Sequence, residues 1–241
     1  MDAFFAILLF GLVAFGVWYV ESPGFKGAVG ENRVNAGLRR HLSEEYQIFA
    51  DLTLPSRGGT TQIDHVVVSR FGVFVIETKN MKGWIFGSAD QASWTQIIHG
   101  HKTRFQNPLR QNYKHVKAVE EVLGIDGRRV HNLVIFAGSA EPRTSMPLDV
   151  SWNVQELVGS ILSRRQVLLD EGQVAAISAK LSSQNFQASK DSKRAHIQNV
   201  KQSAVSCPKC RSKLEVRVNR RSGNQFLGCS QYPKCDGTRP L

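Results

Sequence analysis

Cysteine is missing from the first 206 residues; all four thiols lie between Cys207 and Cys235. A body without thiols has no disulfide framework, and four gathered in a short tail point to a metal site instead. The chain also has no Gly-x-Ser-x-Gly and no Gly-rich loop ending in Gly-Lys-Ser/Thr. Serine-hydrolase and P-loop chemistry therefore find no support. Acidic residues are scarce toward the C-terminus. From Lys190 onward twelve Lys or Arg stand against three Asp or Glu, which is +9 of the total +11. A basic tail on a near-neutral body suits a polyanionic partner, nucleic acid or anionic lipid. At 241 residues the chain has room for one domain of ordinary size and a small module.

No Lys or Arg precedes the apolar run Ala3–Val20, whereas Lys26, Arg33, Arg39 and Arg40 follow it. As a helix the run would measure about 27 Å, enough to cross a hydrocarbon core of about 30 Å. Trp18 and Tyr19 at its end suit the headgroup level, and the positive residues behind it favour a cytoplasmic location for the rest. A signal peptide would have a basic start and a small-x-small cleavage site, and neither is present. The expectation is a single-pass anchor over 3–20 in a bacterial inner membrane, with the later domains in the cytoplasm.

What is present in strength is a pair of β-branched runs, Ile63–Ser69 and Val73–Thr78, around the turn Arg70-Phe71-Gly72. They read as a β-hairpin. Centred between Arg70 and Phe71, the hairpin sets Asp64 opposite Glu77, with Cβ atoms about 4.5–5.5 Å apart. Alternation sends Lys79 to the face of Glu77, and a bulge at Gly72 would shift the pairing by one residue. Two facing carboxylates call for a proton or a cation. Mg2+ or Mn2+ suits such oxygen ligands and would supply Lewis acidity and a more acidic water for phosphodiester hydrolysis. Lys79 beside it would hold that water or stabilise charge on the phosphate. A weak surface ion-pair cluster is the simpler account of such a trio. An Asp inside an apolar strand and a Glu-x-Lys ending one count against it.

The arrangement of Asp64, Glu77 and Lys79 on a hairpin resembles the PD-(D/E)XK nuclease superfamily. Gly30-Glu31, Gln62–His65, Gly72–Asn80 and Asn107–Gln111 together resemble its nuclease-related NERD domain, over roughly residues 26–124. The resemblance implies a restriction-endonuclease-like α/β fold, a mixed sheet flanked by helices, with Mg2+-dependent DNA cleavage at Asp64, Glu77 and Lys79. It also implies a place near the metal for Glu31, whose other account is a favourable negative charge in the first turn of a helix. Gln111 and His115 resemble a Gln-x-x-x-Tyr helix of exonuclease branches, with His where Tyr is usual. Gln111 then either positions DNA or an active-site group, or is a surface amide.

Taken in order, residues 21–30 read as a flexible spacer, 31–42 as a helix, 46–54 as a strand pairing with the hairpin, and 55–61 as a loop. Short strands follow near 83–87 and 94–97, then a basic loop from His99 to Arg104. Asn107-Pro108 opens a helix that Gly124 stops. Residues 130–137 form a buried strand, 148–153 another, 154–169 a helix and 174–181 a last one. The expected domains are the anchor, a nuclease-like domain over 26–181, a polar linker over 182–205 and a four-cysteine module over 206–239.

In that module Cys207-x-x-Cys210 and Cys229-x5-Cys235 are separated by eighteen residues. The spacing suits a tetrahedral four-thiolate Zn2+ site whose metal supplies most of the folding energy. The phrase Phe226–Cys235 resembles the four-cysteine zinc fingers, built as small zinc ribbons, at the C-termini of bacterial type I topoisomerases. This implies single-stranded DNA binding, with bases on Phe226 and Tyr232 and the backbone along Arg217, Arg220 and Arg221. A zinc-stabilised knob for protein contact is the alternative. For the whole chain, the readings are a membrane-anchored nuclease or a non-catalytic adaptor bringing DNA to the membrane. A tail bound mainly to anionic lipid is the third.

Overall fold

The computed structural model describes residues 23–56, 59–183, 186, 206–219 and 225–240. The expected anchor, most of the linker, and Arg220 and Arg221 fall outside them. Among the described residues no helix is long and apolar enough to cross a membrane. The chain divides into two compact units, Met1–Arg57 with Thr61–Gln187, and Gly58–Thr60 with Ala188–Leu241.

The larger unit is mixed α/β. Its main sheet has the order β1 (Gln47–Ser56), β2 (Gly59–Ser69), β3 (Gly72–Lys79), β7 (Val130–Phe136), β9 (Val150–Ser151). The β2–β3 hairpin pairs Ser69 with Gly72 and continues to His65 with Ile76, so no bulge shifts the register at Gly72. β3 and β7 then pair in parallel from Val73–Val130 to Lys79–Phe136. Between them the chain builds β4 (Lys82–Phe86), β5 (Ser93–Ile98) and β6 (His101–Gln106), and β8 (Ser139–Pro142), which follows β7, joins them in a second sheet of order β6-β5-β4-β8.

Alternation along β3 splits the core between two sets of helices. Phe74 and Ile76 pack with Val34 and Leu38 of α1 (Pro23–His41) and with Leu157 and Ile161 of α3 (Val154–Leu162). Val73 and Val75 pack with Val116 and Val119 of α2 (Pro108–Leu123) and with Ile177 and Leu181 of α4 (Glu171–Ser182). α2 begins as its sequence dictates: Asn107 accepts from the Leu109 N–H, Pro108 opens the helix, and Gly124 closes it at φ 69°.

Several boundaries differ from the expectation. Residues 23–30 are helical, and Gly30 serves close approach rather than slack. A Cβ on Gly30 would lie 2.7 Å from Asn80 Cβ. Glu31 therefore sits more than two turns into α1, which removes the first-turn account of its charge. The loop expected over 55–61 shrinks because β1 runs to Ser56 and β2 starts at Gly59. The basic stretch His99–Arg104 is mostly strand. His99 (φ 48°) and Gly100 (φ 80°) make the two-residue turn of the β5–β6 hairpin. α3 stops at Leu162 because the Leu168 and Leu169 N–H groups bind the Arg70 carbonyl, drawing the chain onto the hairpin turn. Only Val150–Ser151 of 148–153 is strand.

Where the second sheet leaves the first, Gly138 lies against the Met81 carbonyl and Asn80 Oδ1. Gly138→Ala is expected to cost about 1–3 kcal/mol by forcing that backbone apart. A urea titration should show a lower midpoint with an unchanged slope.

The smaller unit is an antiparallel sheet of β10 (Leu214–Val218), β11 (Gln225–Cys229) and β12 (Thr238–Pro240), in that order. Its core is Cys207, Leu214 and Cys229, with Leu227 and Cys235 against them. So small a core cannot stabilise a module of this length without a metal.

Candidate active site and zinc module

The ladder of β2 and β3 stops at His65–Ile76, one pair short of Asp64 and Glu77. Ile63, Val66 and Val68 all join the core under α2, so the alternation of β2 breaks between Ile63 and Val66. Asp64 and His65 stand at the break. Asp64 turns its carboxylate to the partner strand itself, Oδ2 accepting from the Thr78 N–H at 2.7 Å. His65 is buried and hydrogen-bonds the backbone of Glu31, tying α1 to the strand. Burial pushes its imidazole down to about 4, so it is neutral at physiological pH.

Glu77 and Lys79 continue the face of Val73 and Val75 toward α2. The helix is pinned there by Asn112, which is fully buried and whose amide donates to the carbonyls of Val75 and Leu133, both on strands below it. Its neighbours one position before and three after then reach Glu77. Glu77 Oε1 accepts from Lys79 Nζ at 2.6 Å and from Gln111 Nε2 at 2.8 Å. Lys79 Nζ also donates to Gln111 Oε1 at 2.9 Å. His115 Nε2 lies 3.3 Å from Glu77 Oε2, while its Nδ1 lies 2.8 Å from Thr61 Oγ1. With Nε2–H toward the carboxylate, Nδ1 accepts from the threonine hydroxyl. The side chains of Glu77 and Lys79 are 7% and 20% exposed, so these contacts act in a partly desolvated place.

Desolvation and the charge of Glu77 push the Asp64 carboxyl well above its usual range, against the pull of the Thr78 N–H. Glu31 adds its charge in the same direction. Burial also opposes ionisation of Glu77, but hydrogen bonds from His115 and Lys79 outweigh it and hold that carboxyl below its usual range. One carboxylate is thus fixed as an anion and the other sits beside it short of positive charge. Such a donor set fits a hard divalent cation.

The structure brings together Asp64, Glu77, Lys79 and Gln111, with Glu31 near enough for its charge to act on Asp64. Gln111 is no loose surface amide. Two groups have no role assigned from the sequence, Thr61 and His65, while His115 is placed there with Gln111 without a settled role. The four-residue spacing from Gln111 and the resembled Gln-x-x-x-Tyr helix point to His115.

In the smaller unit the Sγ atoms of Cys207, Cys210, Cys229 and Cys235 lie within 4.8 Å of one another, with Cys207–Cys235 at 3.7 Å and Cys210–Cys229 at 3.3 Å. Zn–S bonds of about 2.3 Å at tetrahedral angles put sulfurs about 3.8 Å apart. The backbone N–H groups of Cys210 and Lys209 lower the Cys207 thiol, and the Gln231 N–H reaches Cys229 Sγ at 3.3 Å. The cluster fits a structural Zn2+. Beside it Arg217 pairs with Phe226 across β10 and β11 and lies 5.4 Å from the Tyr232 ring centroid. These three line a hollow of about 520 Å3, with Tyr232 61% exposed.

Comparison with known proteins agrees with both units. Over 99 residues the chain is 48% identical to an uncharacterized protein of Bacillus anthracis, covering 41% of this chain and 47% of that one. A 35-residue stretch is 51% identical to DNA topoisomerase 1 of Pyrococcus horikoshii, 14% of this chain and 5% of the enzyme. A 36-residue stretch is 56% identical to an uncharacterized Escherichia coli protein, 15% and 19% of the respective chains. The chain spans less than half of each of these relatives. No solved structure matches. Residues 26–137 match the nuclease-related domain, NERD, and residues 204–241 match the topoisomerase DNA binding C4 zinc finger.

Proposed function

We propose that the chain binds DNA and hydrolyses its phosphodiester bonds with Mg2+ or Mn2+, facing the bacterial cytoplasm from a single-pass anchor at residues 3–20. The observation that carries the enzyme reading is the convergence of Asp64, Glu77, Lys79 and Gln111 at the end of one hairpin. Asp64 and Glu77 would hold the ion, with Glu31 lending negative charge nearby. When bound, the ion supplies Lewis acidity and a more acidic water.

The chain's own groups do the rest. Lys79 is oriented by Glu77 and Gln111 and places its ammonium where negative charge grows on the scissile phosphate. Gln111 spends both ends of its amide on this pair, so it is a positioning residue. His115, buttressed by Thr61, fixes the second oxygen of Glu77. The zinc module, through Arg217, Phe226 and Tyr232, holds single-stranded DNA. A non-catalytic adaptor using the same platform is the second reading; the Glu77–Lys79–Gln111 network, assembled by three separate hydrogen bonds, weighs against it.

The test is cleavage of a labelled oligodeoxynucleotide by the purified chain in Mg2+. Lys79→Met should lower the rate about a hundredfold or more, as loss of a charge-stabilising donor does. Gln111→Ala should cost about ten- to a hundredfold with the melting curve nearly unchanged, as loss of a supporting contact does. Equal cutting by wild type and Lys79→Met, or binding without cutting in any divalent metal, would remove the enzyme reading.

A further inference from the structure

The nuclease and zinc-module reading leaves one surface unused, the outer face of the second sheet. Register across β4, β5 and β6 lines up Trp84 with Ile97 and Ile97 with Lys102. Two-residue alternation adds Lys82 and Arg104 to this side. The other side, with Ile85, Trp94 and Phe105, is packed into the core. Trp84 is 48% exposed, an unusual position for the largest aromatic side chain. The Arg143 guanidinium lies 4.4 Å from its ring centroid. Beside the indole is an open hollow of about 470 Å3, bordered by Lys82, Ile97 and the His99-Gly100 turn. Four cationic side chains thus frame one exposed aromatic and an adjoining hollow. One acid, Glu141, shares the face and pairs with Arg143 at 2.8 Å.

Its place in the chain matters. β4 begins at Lys82, three residues after Lys79. Their Cα atoms are therefore no more than about 11 Å apart.

Resting on the DNA reading above, we infer that this face is a binding track for single-stranded DNA within the larger unit, with a base seated on Trp84 and the adjoining backbone on Lys82, Lys102 and Arg104. Flat aromatic platforms flanked by cations bind single strands by stacking and charge, with little sequence preference. One end of this face, at Lys82, lies three residues along the chain from Lys79. The track feeds the cleft independently of the zinc module.

The experiment uses the full chain carrying Cys207→Ser and Cys210→Ser, which silences the zinc module, and a fluorescein-labelled oligodeoxynucleotide titrated at several salt concentrations. Trp84→Ala should weaken binding about tenfold or more while leaving the salt slope unchanged. The triple variant Lys82→Gln, Lys102→Gln, Arg104→Gln should reduce the slope of log affinity against log salt by about 2, from about 0.7 per lost phosphate contact. Melting curves identify any variant that has merely unfolded, and Trp84→Phe, which keeps a ring, should recover most of the affinity. Unchanged affinity and slope in both variants would overturn the track while leaving the DNA reading intact. So would a complete loss of binding on silencing the zinc module alone. Loss of binding to phosphatidylglycerol vesicles without loss of DNA binding would assign the face to lipid and overturn it as well. A wild-type chain that binds no DNA would overturn the function reading itself, and the track with it.

Discussion

Asp64→Asn is expected to make the chain more stable and less active at once. The folded protein favours the neutral form of Asp64, because burial and Glu77 push its carboxyl well above the ordinary range. For a raised carboxyl the stabilising contribution is complete below the unfolded value, about 3.9, and is lost as pH rises through the folded one. In chelator at pH 8 an ionised Asp64 is therefore a burden that the neutral amide lacks. The variant should melt higher than wild type, and its advantage should vanish as pH falls toward 4. Adding Mg2+ should reverse the order. A bound ion at a hundred times its Kd adds about 2.7 kcal/mol to wild type and nothing to a variant that cannot hold it. Cleavage should fall by at least about a hundredfold, since even outer contacts to a metal ligand cost ten- to a hundredfold. Thermal melts at two pH values, with and without Mg2+, read all three effects. A purely structural ion-pair cluster predicts none of the Mg2+ dependence.

Zinc removal is the second large effect. The core of the smaller unit is three buried residues, two of them cysteines. Structural zinc contributes about 10–16 kcal/mol of apparent binding free energy in such modules, far more than those contacts provide. Cys229→Ser is expected to release the metal, abolish protease resistance over residues 206–240 and remove this module's share of single-strand binding. The larger unit, which holds no cysteine, should keep its melting transition. A metal-release assay with limited proteolysis checks this directly, and a zinc-free module that stays resistant would refute the structural role.

How far the chain could be read in advance depended on what each residue's job was. The hairpin register followed from two β-branched runs and a short turn, because pairing there is local. The α2 boundaries followed from Asn107-Pro108 and Gly124, again local chemistry. The four-cysteine spacing likewise needed no distant partner. What failed were residues whose reason lies elsewhere in the fold. Gly30 reads as slack until Asn80 is seen against it. The break in β2 at Asp64-His65 is set by Thr78 on one side and Glu31 on the other. His115 gains its place only through Thr61 and Glu77, from two different strands. The strand His101–Gln106 carries too many charges to show alternation, since only one of its sides meets a core.

The central claim is that Asp64 and Glu77 together hold a divalent ion. Titrating Mn2+ into the zinc-loaded chain and following free Mn2+ by electron paramagnetic resonance measures it most directly. One site should appear in wild type and disappear in Asp64→Asn, while the Zn2+ content of both proteins stays equal. Equal Mn2+ binding by wild type and variant would contradict the account.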